Sequence, residues 1–146
     1  MVGRAAAYAR AILRNRHDAE DAVQQAALRA WERIDRYGPS RPFKGWWFAV
    51  LRNCCIDIQR VRQPFENLDG QEPVDDRSAA TFDWRGLEDA LAKLSESHRE
   101  ILRLRYFGDL SYDELAETLD IPRGTVMSRL HLARKALSAV LSKETV

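Results

Sequence analysis

"LSYDELAETLDIPRGTVMSRLHLARKAL", Leu110–Leu137, holds two helical stretches divided by a turn. Ser111 and Glu114 stand at capping-box spacing and predict a helix from Ser111 to about Leu119. "DIP" makes a tight turn, and Pro122 suits the first turn of a longer helix reaching about Leu141. Ala116 is small enough to let the two helices cross closely. Leu115, Leu119, Ile121, Val126, Leu130 and Ala133 fall where the pair would share a core. The remaining face of the second helix carries Arg123, Thr125, Ser128, Arg129, Arg134 and Lys135, with Met127 and His131 among them. A helix of this size fits a DNA major groove, its first residues at base edges and its flanking cations at phosphates. His131 reads as a phosphate or packing residue. The bland alternative is a helical hairpin with a solvated basic face. Turn, caps, small residue and basic face coincide here, which favours the DNA reader.

Upstream, "GLEDALAKLS" is amphipathic, Ser97 and Glu100 repeat the capping-box spacing, and Gly108 stands as a C-terminal stop. The N-terminal block predicts three helices. The first covers residues 5–15. The second has Asp18 as N-cap and runs to about Asp35; the third runs from about Phe43 to Val61, after the breaker "YGPSRP". Residues 63–84 have two prolines, six acids and no helical periodicity, which predicts a flexible linker. An irregular cap anchored by Phe65, Phe82 and Trp84 is the alternative. The expected fold is all-α: two small helical domains, residues 1–63 and 85–146, joined by the acidic linker 64–84.

Hydrophobic residues at 45% and charged residues at 31% describe a globular chain, neither disordered nor fibrous. The longest apolar run, Trp46–Leu51, is too short to span a bilayer, and no secretion-signal core stands at the N-terminus. A cytoplasmic protein without membrane insertion is expected. Residues 1–63 hold 12 Lys/Arg against 6 Asp/Glu, residues 64–86 hold 2 against 6, and residues 87–146 hold 9 against 10. The basic first block suits a polyanion. Cys54 and Cys55 read as packing residues, no zinc spacing exists, and no metal or cofactor is expected. His17, His98 and His131 lie apart with no nucleophile–base motif, and there is no glycine-rich nucleotide loop, so an enzyme is not expected.

Leu110–Leu137 resembles region 4 of the extracytoplasmic-function (group IV) sigma factors of the sigma-70 family. "DAEDAVQQAALRAWERIDRY", Asp18–Tyr37, with "RPFKGWWFAVLRNCCIDIQR", Arg41–Arg60, resembles region 2, and the two occur in the family's order. The resemblance implies an alternative sigma factor that binds core RNA polymerase and reads promoter DNA, the −35 element with region 4 and the −10 element with region 2. The helix of Asp18, Asp21, Gln24, Gln25, Leu28 and Trp31 would dock on the β′ coiled coil, and region 4 on the β flap. Arg123, Thr125, Ser128 and Arg129 would face the −35 duplex. An anti-sigma factor is a further expected partner, and a sigma-like mimic that captures one without promoter activity is the alternative.

Region 2 of the family melts DNA and holds unstacked bases, which needs aromatic faces and backbone cations; stacking contributes ~1–3 kcal/mol per base. Tyr37, Phe43, Trp46 and Trp47 with Arg36, Arg41 and Lys44 supply both, and Arg52, Asn53 and Arg60 continue the polar face. Trp46 matches the family; Trp47 stands where an aliphatic residue is usual. Neighbours on a helix lie about 100° apart, so both indoles cannot face one core. The pair resembles that of primary sigma factors, which predicts that Trp47 helps open the −10 junction. The alternative leaves one indole in the core and the other packed on the preceding helix. Ala22, Gln25 and Ala27 also depart from the usual Leu, acid and bulky apolar residue, and Met127 and Leu132 from usual basic residues.

Overall fold

The computed structural model describes residues 2–62 and 84–144, and among these every regular element is helical. The N-terminal half holds α1 (Val2–Leu13), α2 (Arg16–Glu32), a 3-10 turn (Ile34–Arg36) and α3 (Phe43–Arg62). The C-terminal half holds α4 (Trp84–Ala92), α5 (Glu96–Tyr106), α6 (Tyr112–Leu119) and α7 (Arg123–Glu144). The expected linker lies outside the described residues except for Trp84, which opens α4. None of the described helices is long and apolar enough to cross a membrane.

Two expected caps are corrected. Asn15, not Asp18, caps α2: its backbone is extended, and its side-chain oxygen accepts the Asp18 N–H at 3.0 Å. The Asp18 carboxylate instead meets Arg62 at 3.1 Å, joining α2 to the end of α3. Likewise Ser95, not Ser97, caps α5, accepting the His98 N–H at 3.4 Å. Ser95 has the extended backbone a cap requires, whereas Ser97 already lies within the first turn. Glu100, freed from the expected box, lies 2.8 Å from Arg52 of α3.

α2 buries Ala19, Ala22, Ala26 and Ala30, a strip of small side chains that lets it lie close on α1 and α3. Tyr8 of α1 meets Phe48 of α3 edge to face, ring centres 5.6 Å apart, both fully buried. Burial also explains the two thiols. Cys54 and Cys55 are free and buried, and burial pushes both thiols up, Cys55 to about 12.

The halves do not stand apart. α3 packs along α6, and one apolar core runs through both halves. Gly45 makes this approach possible: a Cβ there would lie 2.7 Å from the Glu114 carbonyl oxygen and 2.8 Å from Glu117 Cβ. The buried Thr118 hydroxyl donates to the Gly45 carbonyl at 2.7 Å. Gly108 plays a similar part and not the expected one. Asp109, with φ 56°, takes the left-handed position after α5. Gly108 is small because a Cβ would come within 2.6 Å of Leu110 Cδ1, 2.7 Å of the Leu104 oxygen and 3.0 Å of Phe48 Cε1.

Gly45→Ala is expected to lower stability by ~1–3 kcal/mol, the usual cost of overpacking. At Gly124, where a Cβ meets nothing, alanine should raise stability by up to ~1 kcal/mol through helix propensity. Thermal melts of both variants test the pair, and equal shifts would contradict the close approach. Both cysteines should resist a thiol reagent in the folded protein and react once it is unfolded in urea; prompt reaction of the native chain would refute their burial.

Candidate nucleic-acid interface

The C-terminal helix pair builds one surface. The Ser111 hydroxyl accepts the Glu114 N–H at 3.2 Å, and the Glu114 carboxylate accepts the Ser111 N–H at 2.7 Å, completing the capping box of α6. α6 ends in Asp120, whose left-handed φ of 54° is tolerated by a short polar side chain and turns the chain sharply into α7. Leu115, Val126, Leu130 and Ala133 are buried between the helices, with Ala116, Leu119 and Ile121 packed against them.

That burial fixes which side of α7 faces outward. Arg123, Met127, Ser128, His131, Arg134 and Lys135 are exposed, and Thr125 and Arg129 are half-buried. Ser128 turns its hydroxyl back onto the Gly124 carbonyl at 2.9 Å. Arg123 pairs with Asp113 at 2.8 Å, both well exposed, so the pair is worth at most ~1 kcal/mol and yields readily to a phosphate.

Sequence reasoning missed what holds these cations. Arg123 and Arg105 both lie over the Tyr112 ring, 5.8 and 5.7 Å from its centre. The Tyr106 and Tyr112 side chains beside the Arg134 guanidinium raise its pKa. Only the aromatic residue just inside the Ser111 cap, amid basic neighbours on α5 and α7, hinted at this.

The second surface lies where α2 meets the start of α3. Tyr37, Phe43 and Trp46 form a ring cluster with centres 5.3–5.8 Å apart, and the Tyr37 hydroxyl donates to the Arg41 carbonyl at 2.6 Å, pinning the intervening turn. Trp46 is only 7% exposed and belongs to the core. Trp47 is half-buried and turned toward α2. With Ala27, Ala30, Trp31, Ile34, Phe43 and Trp46 it lines an apolar cavity of about 300 Å³. Trp31, assigned from the sequence to the polymerase contact, thus shares one groove with Phe43 and the tryptophan pair assigned to DNA. Along α2, Gln24, Gln25, Leu28 and Trp31 are exposed, the last at 77%, whereas Asp18 is engaged by Arg62 and Asp21 lies 3.6 Å from His17.

The basic members of this surface are divided. Arg36, Asn53 and Arg60 are exposed. Arg41, Lys44 and Arg52 are held by the other half: Arg41 Nε donates to Glu117 of α6 at 2.6 Å, Lys44 to the Asp109 carbonyl at 2.8 Å, and Arg52 pairs with Glu100 of α5.

Comparison with known proteins identifies the class. Residues 2–64 match the family model described as sigma-70 region 2, and residues 84–137 match sigma-70, region 4. The chain is 37% identical over 134 residues to the ECF RNA polymerase sigma factor SigL of Mycobacterium tuberculosis, covering 86% of this chain and 75% of the relative. It is 34% identical over 143 residues to SigW of Bacillus subtilis, covering 86% and 76%. The Bartonella quintana sigma factor RpoE, solved with the anti-sigma factor NepR, superposes with a TM-score of 0.73 at 26% identity, over 94% of this chain and 89% of that one. CnrH, solved with the cytosolic domain of CnrY, superposes at 0.70 and 26% identity, over 96% and 81%. The chain belongs to the ECF sigma factors of the sigma-70 family, alternative sigma factors that direct RNA polymerase to promoters.

The two exposures separate the tryptophans energetically. Trp46→Ala is expected to cost ~3–5 kcal/mol, as for a large buried aromatic. Trp31→Ala should stay within ~0.5 kcal/mol. Urea denaturation checks both, and a destabilising Trp31→Ala would contradict its exposure.

Proposed function

We propose that residues 1–63 act as region 2, binding core polymerase and opening the −10 element, and residues 85–146 as region 4, reading the −35 element. In this reading Arg123, Thr125, Met127, Ser128 and Arg129 face the −35 duplex, with His131, Arg134 and Lys135 along its backbone. The α2 face of Gln24, Gln25, Leu28 and Trp31 meets the β′ coiled coil, together with Asp18 and Asp21. The groove of Phe43 and Trp47 receives the opened strand, with Trp46 as its buried floor and Arg36, Asn53 and Arg60 along the backbone. The protein is a non-enzymatic initiation factor working in the cytoplasm. An anti-sigma factor is a further partner, since the relatives RpoE and CnrH were each solved with one or with a partner's cytosolic domain.

One observation adds a step: Arg41, Lys44 and Arg52 are occupied by the C-terminal half. The two promoter elements lie about 25 base pairs apart, ~85 Å of B-DNA at ~3.4 Å per pair. A compact chain of this length has a radius of gyration of ~15 Å. Packed as here, the halves cannot reach both elements, so the α3–α6 contact opens before promoter recognition and releases the three cations.

Core polymerase pull-down followed by run-off transcription on promoters of the parent genome tests the reading. Binding with specific initiation is expected; a folded chain that binds neither polymerase nor promoter would instead act as a mimic. Arg123→Ala and Arg129→Ala should each weaken binding and reduce its salt slope by ~0.9 if they meet phosphates. Trp47→Leu should bind the closed promoter normally but open it poorly by permanganate footprinting. Equal opening by variant and parent would remove Trp47 from the melting step.

A further inference from the structure

Away from both surfaces, a cavity of about 430 Å³ lies between the halves. Ile12, Leu13, Arg14, Gln59 and Arg62 line it from the N-terminal half, and Ala92, Arg99 and Arg103 from the C-terminal half. Four arginines and no acid face this space. Two of them have outside carboxylate partners: Arg62 pairs with Asp18 at 3.1 Å and also donates to the Leu13 carbonyl at 2.7 Å, and Arg103 pairs with the buried Glu88 at 3.2 Å. Arg14 and Arg99 have no carboxylate partner among the described residues; Arg99 donates only to the Ala92 carbonyl, at 3.4 Å.

Burying guanidinium groups costs free energy unless each finds a partner. Yet Arg14 Nε and Arg103 Nε are both buried without a hydrogen bond. Arg14 also sits at φ 53°, a backbone conformation disfavoured for a long side chain. Orphaned donors of this kind call for an ion or water as partner. Two unmatched positive charges, planar donor forks and a volume in the range of small-ligand sites fit one anionic group bearing several acceptor oxygens.

We propose that this cavity binds a small, freely diffusing phosphorylated anion, its terminal phosphoryl group held between Arg14 and Arg99. None of the candidate DNA-facing residues of α7 or of the start of α3 lines the site. Because Arg14 and Arg99 belong to different halves, the bound anion ties α1 and α3 to α5. It is bound tightly only while the halves are packed, so it stabilises this arrangement by mass action and opposes its opening. That last consequence rests on the opening step proposed above; the binding itself does not.

Calorimetric titration of the full-length purified chain with inorganic pyrophosphate tests the site without polymerase or promoter. Saturable binding is expected, with a Tm that rises with pyrophosphate concentration. Arg14→Gln combined with Arg99→Gln should weaken binding roughly tenfold or more, the scale of losing charge-assisted hydrogen bonds. Arg4→Gln with Lys143→Gln removes the same charge at exposed positions and should leave binding unchanged. Absence of saturable binding to the parent chain overturns the proposal, as does an equal loss in the two double variants. A dinucleoside phosphodiester separates the alternative phosphate source, a nucleic-acid backbone: binding as tight as that of pyrophosphate would overturn a terminal-phosphate site. Should the arginine double variant not fold, Arg99→Gln alone and the parent titration still decide.

Discussion

The closeness of α3 and α6 at Gly45 is the constraint on which the arrangement depends. Helices normally pack with their axes 8–10 Å apart, the distance being set by side chains at the crossing. Glycine removes one side chain, and Thr118 uses the space to donate a buried hydrogen bond to the Gly45 carbonyl. With α6 seated there, Glu117 reaches Arg41, Asp109 reaches Lys44, and Phe48 fills the space Gly108 leaves. The Arg41–Glu117 pair, and the Arg52–Glu100 pair between α3 and α5, are partly exposed and worth little individually. The burial of Phe48 and its neighbours supplies most of the contact energy, at roughly 25 cal/mol per Å² of apolar surface. The polar contacts set the register.

This division of labour bears on function. Apolar packing is not weakened by salt, whereas pairs such as Arg41–Glu117 are screened by it. In the function proposed above, DNA would offer Arg41, Lys44 and Arg52 a denser array of charge than Glu117 and Glu100 do, which would link promoter binding to opening. The exposed face of α7 is built differently. Arg123 lies over the Tyr112 ring and Arg134 is influenced by Tyr106 and Tyr112, all of them residues of the C-terminal half.

Much of the chain was legible in sequence because it rests on short-range physics. The Ser111–Glu114 box, the turn at Asp120 and the apolar spacing of Leu115, Val126 and Leu130 are all set within the one short stretch 111–130. The caps of α2 and α5 were misread for an equally local reason. Two candidates stood within three residues, and only the backbone of Asn15 and of Ser95 is extended. The neighbouring tryptophans were half legible: helical geometry dictates that they diverge, but not that Trp47 would share a groove with Trp31.

What the sequence alone determined, then, is the set of helices, their apolar faces and the family to which they belong, since periodicity, capping and motif are properties of neighbouring residues. Only the tertiary structure decided that Gly45 serves close packing, that Arg41, Lys44 and Arg52 meet the other half, and that Arg14, Arg62, Arg99 and Arg103 converge on one cavity. Apart from Arg99 and Arg103, neighbours on α5, these groups stand 37 to 89 positions from their partners, and no local rule relates groups so distant until the backbone brings them together.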